Sequence, residues 1–115
     1  MTKQVHTNSK IGMRIRGENL EKKNYNGKSD PFLVFLRENK GEWEQIHKTD
    51  YFIQDLNPHF KPLELSVHEL TCGKSEKEFK VKCYDWNINK KYSFIGEFDV
   101  KNTFYFYLFF IYFFV

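Results

Sequence analysis

Cysteine is scarce in this chain. Only Cys72 and Cys83 occur in 115 residues, with no Cys-x-x-Cys pair and no histidine at zinc-finger spacing. This excludes a disulfide-stapled scaffold and a zinc finger, and it reads as two free thiols in a reducing compartment. Charge of one sign is also modest: 18 Lys plus Arg against 15 Asp plus Glu leaves +3. Such an excess suits an anionic membrane surface or an acidic partner. Without an Arg-rich run or an aromatic RNA-binding signature, it gives no ground for a nucleic-acid partner. There is no Asn-x-Ser/Thr sequon, and the polar stretch Met1 to Lys10 has no apolar core of a signal peptide, which agrees with a cytosolic chain. No Ser-His-Asp order, Gly-rich phosphate loop or paired catalytic carboxylates can be placed, so an enzyme is not expected. His6, His47, His59 and His68 share no metal-ligand spacing and read as structural.

What is present is a series of short alternating runs. Ile11, Met13 and Ile15 face one way and Lys10, Arg14 and Arg16 the other, the period of a half-buried strand. Phe32–Arg37 is a short apolar core strand, and Trp43–Tyr51 is its return after the turn Glu38-Asn39-Lys40-Gly41. Leu63, Leu65 and Val67, then Phe79, Val81 and Cys83, then Phe94–Val100 complete about six strands. No amphipathic helix of any length intervenes, and no linker or repeat divides the chain. An all-β antiparallel sandwich in a single domain is the expectation. Gly17 to Pro31 and Asp85–Ser93 are long polar loops.

Those loops carry specific motifs. Asn19-Leu20 followed by Gly27-Lys28-Ser29-Asp30-Pro31-Phe32, then Leu56-Asn57-Pro58-His59-Phe60, then Tyr84-Asp85-Trp86-Asn87 with Phe94-Ile95-Gly96-Glu97, occur in this order. They resemble the loop signatures of C2 domains from Lys10 to Val100. Arg16–Lys23, the segment Trp43–Thr49 with His47-Lys48-Thr49, and Asn57–Pro62 resemble the second C2 domain of the copine family. Copines also carry another C2 domain and a von Willebrand factor A-type domain. Neither is present here, so the chain looks like a fragment.

The resemblance implies a β-sandwich whose loops hold calcium with aspartates and then meet phospholipid. Calcium takes six to eight oxygen ligands and draws its affinity from ligand charge. Of five acidic positions implied by the family, this chain keeps Asp30 and Asp85. The other three are Asn24, Asn87 and Ser93, which offer oxygen without charge. The segments Leu20–Asp30 and Asp85–Ser93 each carry a net +1, so calcium binding is expected to be weak or lost. Lys22, Lys23, Lys90 and Lys91 are then expected to meet anionic headgroups directly, with Tyr25 and Ile88 as inserted tips. The expected module is monomeric and peripheral on cytosolic membrane faces. The alternative is a calcium-independent protein-interaction (adaptor) module using Lys80 and Lys82 or a sheet edge.

The run Phe104–Val115 stands apart. All twelve residues are apolar or aromatic, nine of them Phe or Tyr. A membrane-spanning helix needs about twenty apolar residues, so the run is too short to cross. It suits an edge strand, yet it is also what translation of a T-rich non-coding stretch would give. The favoured expectation is a C2 domain over residues 10–100 that lacks one terminal strand, followed by a non-native tail over 101–115.

Overall fold

The computed structural model describes residues 10–20, 29–51, 54–71, 78–87, 92–101 and 109–114. In chain order the elements are β1 (Lys10–Glu18), β2 (Pro31–Asn39), β3 (Glu42–Lys48), β4 (Leu63–Ser66), α1 (Val67–Thr71), β5 (Glu78–Asp85), β6 (Ser93–Lys101) and β7 (Phe109–Phe114). They form two sheets, one of order β4-β1-β7 and one of order β3-β2-β5-β6.

Alternation along each strand determines which side chains enter the core. On β5, Phe79, Val81 and Cys83 are buried while Glu78, Lys80, Lys82 and Tyr84 are partly exposed. On β1, Met13 and Ile15 turn inward. These residues join Leu33, Phe35, Leu65, Leu70, Ile95 and Val100 in one cluster between the sheets. Gly17 lies on the inner side, where an added Cβ would meet the Leu20 side chain at 2.9–3.0 Å, so the missing side chain is what lets Leu20 pack. Pro31 to Phe35 is buried without alternation, because Tyr84 and Tyr92 cover Phe32 from the outer face. β2 and β3 are joined by Lys40 and Gly41, both left-handed (φ 55° and 82°), the two-residue turn that matches strand twist.

The antiparallel sandwich expected from alternation is present, with two departures. Leu63, Leu65 and Val67 read as one strand, yet the strand ends at Ser66 and a single helical turn, α1, follows. Ser66 Oγ accepts the Glu69 N–H at 3.3 Å, a cap that satisfies one donor at the start of the turn. Leu70, fully buried, closes the end of the core. The second departure is the tail. Phe109–Phe114 forms β7, aligned with β1 from Met13↔Phe109 to Glu18↔Phe114, and this is the parallel pair among the described strands. An edge strand thus stands where a terminal strand was expected to be lacking.

Candidate functional site

The described ends of the two long loops at Asp30, Asp85 and Ser93 come together at one end of the molecule. Pro31 of β2, Asp85 of β5 and Ser93 of β6 lie in one row across three neighbouring strands, which brings the Asp30 and Asp85 motifs to a common rim. Asp85 Oδ1 accepts the backbone N–H of Asp30 at 2.7 Å. The Asp30 carbonyl accepts the Trp86 N–H at 2.9 Å, and Asp30 Oδ1 accepts the Gln54 N–H at 2.7 Å. Both carboxylates therefore hold backbone donors of neighbouring segments.

Burial separates the two acids. Loop motifs lead one to expect solvent-facing carboxylates, but Asp85 is 2% exposed while Asp30 is partly exposed. The strand period explains this: Asp85 follows Phe79, Val81 and Cys83 on the inward side of β5. The negative field it adds there is felt next door. Burial, and secondarily Asp85, push the Cys83 thiol up to about 12. Cys83 is free, as expected.

The Asn-Pro motif has a mechanical role. Asn57 Oδ1 accepts the Asn19 N–H at 2.9 Å, with Asn19 at φ 52°. Leu20 N–H donates to the Leu56 carbonyl and Gly17 N–H to the Pro58 carbonyl, both at 2.9 Å. Asp55 Oδ1 in turn accepts the Asn57 N–H at 2.8 Å. The motif thus locks the start of the first loop to the central segment.

Other features have little or no mark in the sequence. Tyr51 and Trp86 stack at the loop end, centroids 4.4 Å apart and planes within 2°, with Tyr51 41% exposed. The sequence signal is limited to Trp86 following Asp85; the alternation that reads Trp43–Tyr51 as one strand runs too far, since β3 ends at Lys48 and Tyr51 lies beyond it in irregular chain. On the outer face of the four-stranded sheet, the Lys48 ammonium sits 5.2 Å from the Phe32 ring and 5.1 Å from Tyr92. The expected basic face does not hold for Lys80. Its ammonium lies 3.4 Å from Glu97, 3.8 Å from Asp99 and 4.7 Å from the Trp43 ring, so its charge is matched locally.

Of the remaining expected site residues, Ser93 is exposed opposite Asp85, and Asn87 is partly exposed just after β5. Asn24, Lys22, Lys23, Tyr25, Ile88, Lys90 and Lys91 lie outside the described residues. Among the described residues, no three His, Cys, Asp or Glu side chains gather where they could hold an ion. Among the described residues, no helix is long and apolar enough to cross a membrane.

Comparison with known proteins agrees with this architecture. The family model described as C2 domain matches residues 13–104. A solved structure named BON1-C2B is 35% identical with a TM-score of 0.67, covering 83% of this chain; the chain spans 64% of that structure. A solved C2 domain of a plant extended synaptotagmin 1 is similar in fold, with a TM-score of 0.62 at 22% identity over 84% of this chain and 71% of that one. With the family match extending over most of its length, the chain belongs to the C2 domain family.

Proposed function

We propose that this domain is a copine-like C2 module that docks by its loop end on anionic phospholipid at cytosolic membrane faces, with calcium playing a weak part or none. The copine-like reading draws support from the 35% identity to BON1-C2B and from the motifs at 16–23, 43–49 and 57–62. The observation that carries the weak dependence on calcium is the use of both retained aspartates as acceptors for backbone N–H groups at 2.7 Å. The fold draws on these carboxylates to join its loops whether or not an ion is near. The neutral Asn87 and Ser93 add no charge to attract one.

In this reading, lysines of the two loops (Lys22, Lys23, Lys90 and Lys91) meet the headgroups, each contributing about 1 kcal/mol near an anionic leaflet. Tyr25 and Ile88 enter among the headgroups, and the Tyr51–Trp86 stack joins them, since Tyr and Trp favour the boundary between apolar and wet layers. The module acts as a monomer and binds rather than catalyses. Sedimentation with vesicles containing phosphatidylserine, with calcium or with a chelator, tests it. Equal pelleting in both is expected; strictly calcium-dependent pelleting overturns the weak-calcium reading, and no pelleting in either overturns membrane docking.

A further inference from the structure

A second charged feature lies on the other sheet, away from the loop aspartates. A pocket of about 460 Å³ opens beside β1, and its described charged or titratable lining groups are Arg14, Arg16, His59 and Lys61. The backbone shows why it is there. Phe60 N–H donates to the Ile15 carbonyl at 3.0 Å and Gly17 N–H to the Pro58 carbonyl at 2.9 Å. These bonds bracket the Arg16↔His59 bridge, making it a non-hydrogen-bonded pair, the kind whose side chains stand closest. The next described pairing is Met13↔Leu63. Between the two, β1 supplies Arg14 and Ile15, whereas the opposing run supplies Phe60, Lys61 and Pro62. One strand carries an extra residue, the signature of a bulge, and Pro62 has no N–H with which to close the ladder.

We propose that this bulge pocket is a binding site for a phosphomonoester dianion. Arg16 and His59 stand directly opposite each other across the strand pair, so the guanidinium and an imidazole N–H can donate to one dianion held between them. Guanidinium groups match phosphate oxygens in paired hydrogen bonds, and the Lys61 ammonium adds a point charge. Ile15 and Phe60, which also line the pocket, are buried at 2% and 6% exposure and belong to the core cluster. Glu18 lies 3.9 Å from Arg16, and both side chains are nearly half exposed. Such a pair holds an arginine weakly and does not outcompete a dianion. Among the described residues, Glu64 on β4, opposite Gly12, is a further acid near β1. Arg16 lies two strand residues from Glu18, where β1 ends and the first loop begins, about 7 Å along β1. A phosphomonoester presented by a lipid headgroup is therefore reached when the domain leans on a membrane, and a soluble one at any time.

The site is tested on the full chain by following its amide resonances during titration with glycerol 3-phosphate, against sodium sulfate at equal ionic strength. Saturable shifts at Arg14, Arg16 and His59 are expected with the phosphomonoester. Arg16→Gln combined with Lys61→Gln should weaken them about tenfold with the rest of the spectrum unchanged. Trp86→Ala, at the loop end, should leave the titration unaltered, which separates this site from membrane docking by the loops. Stronger pelleting with phosphatidic acid than with phosphatidylglycerol vesicles at matched surface charge identifies a lipid source; equal pelleting with a saturable glycerol phosphate response identifies a soluble one. Shifts that do not saturate, that sulfate reproduces, or that survive the double substitution overturn the proposal.

Discussion

Asp30 gives its backbone N–H to Asp85 Oδ1 at 2.7 Å and receives the Trp86 N–H on its own carbonyl at 2.9 Å. Two loops 55 residues apart are thereby joined by a short two-point link. Asp85→Ala should remove the acceptor and leave a donor unsatisfied beside a nearly buried position. The expected loss is about 1–3 kcal/mol, read as a lower urea midpoint. Asp85→Asn keeps a side-chain oxygen and should recover most of the stability. An alanine variant as stable as the parent would show that the carboxylate does not support the fold.

Alternation makes much of the fold legible in the sequence, because buried and solvated positions of β1 and β5 differ in polarity every second residue. The helical turn α1 escapes it, since five residues are too few to display a 3.6-residue period. Its one local mark is Ser66 with Glu69 three places later, a capping pattern. The site is half legible. Motif order places Asp30 and Asp85 at one end, but motifs do not report burial, and the inward side of β5 claims Asp85. The bulge at Lys61-Pro62 depends on the register between distant segments, which no local pattern contains.

Adding negative charge at the loop end should strengthen calcium binding. Ser93 is exposed directly across from Asp85, and Asn87 stands two residues beyond it. Asn87→Asp together with Ser93→Asp would add two carboxylates to the same rim. Affinity in such sites follows ligand charge, so calorimetric titration should show calcium binding strengthened on the order of tenfold or more. An unchanged isotherm would mean that ligand charge is not what limits calcium here.

Cys83 gives the fold a specific alkaline weakness. Its thiol is raised from an ordinary value of 9.0 to about 12, chiefly by burial. The folded state therefore keeps a proton that the unfolded chain releases. The contribution is fully present below pH 9 and is lost as pH climbs toward 12, at most about 1.4 kcal/mol per pH unit. Comparing urea midpoints of the parent and Cys83→Ala across this window isolates the thiol from the other groups that titrate there. The parent should lose stability more steeply. In a Cys72→Ser background, alkylation at pH 8 should be slow in the native protein and fast in urea.

The Tyr51–Trp86 stack can be read directly by fluorescence because the second tryptophan lies elsewhere. Trp43 pairs with Glu38 beside the Lys40-Gly41 turn, at the end of β2 opposite Pro31, and packs under Lys80. In a Trp43→Phe variant, emission reports Trp86 alone. If the stack enters the headgroup layer, adding vesicles rich in phosphatidylserine should shift that emission to shorter wavelength with or without a chelator. Tyr51→Ala removes the partner ring 4.4 Å away. It should lower vesicle affinity roughly two- to tenfold, the range expected for losing about 0.5–1.5 kcal/mol of aromatic contact. The domain should stay folded, since Tyr51 is largely at the surface rather than in the core cluster. Trp86 emission that does not move while the protein still pellets would place the membrane contact on another face, and the cationic pocket beside β1 would be the first to examine.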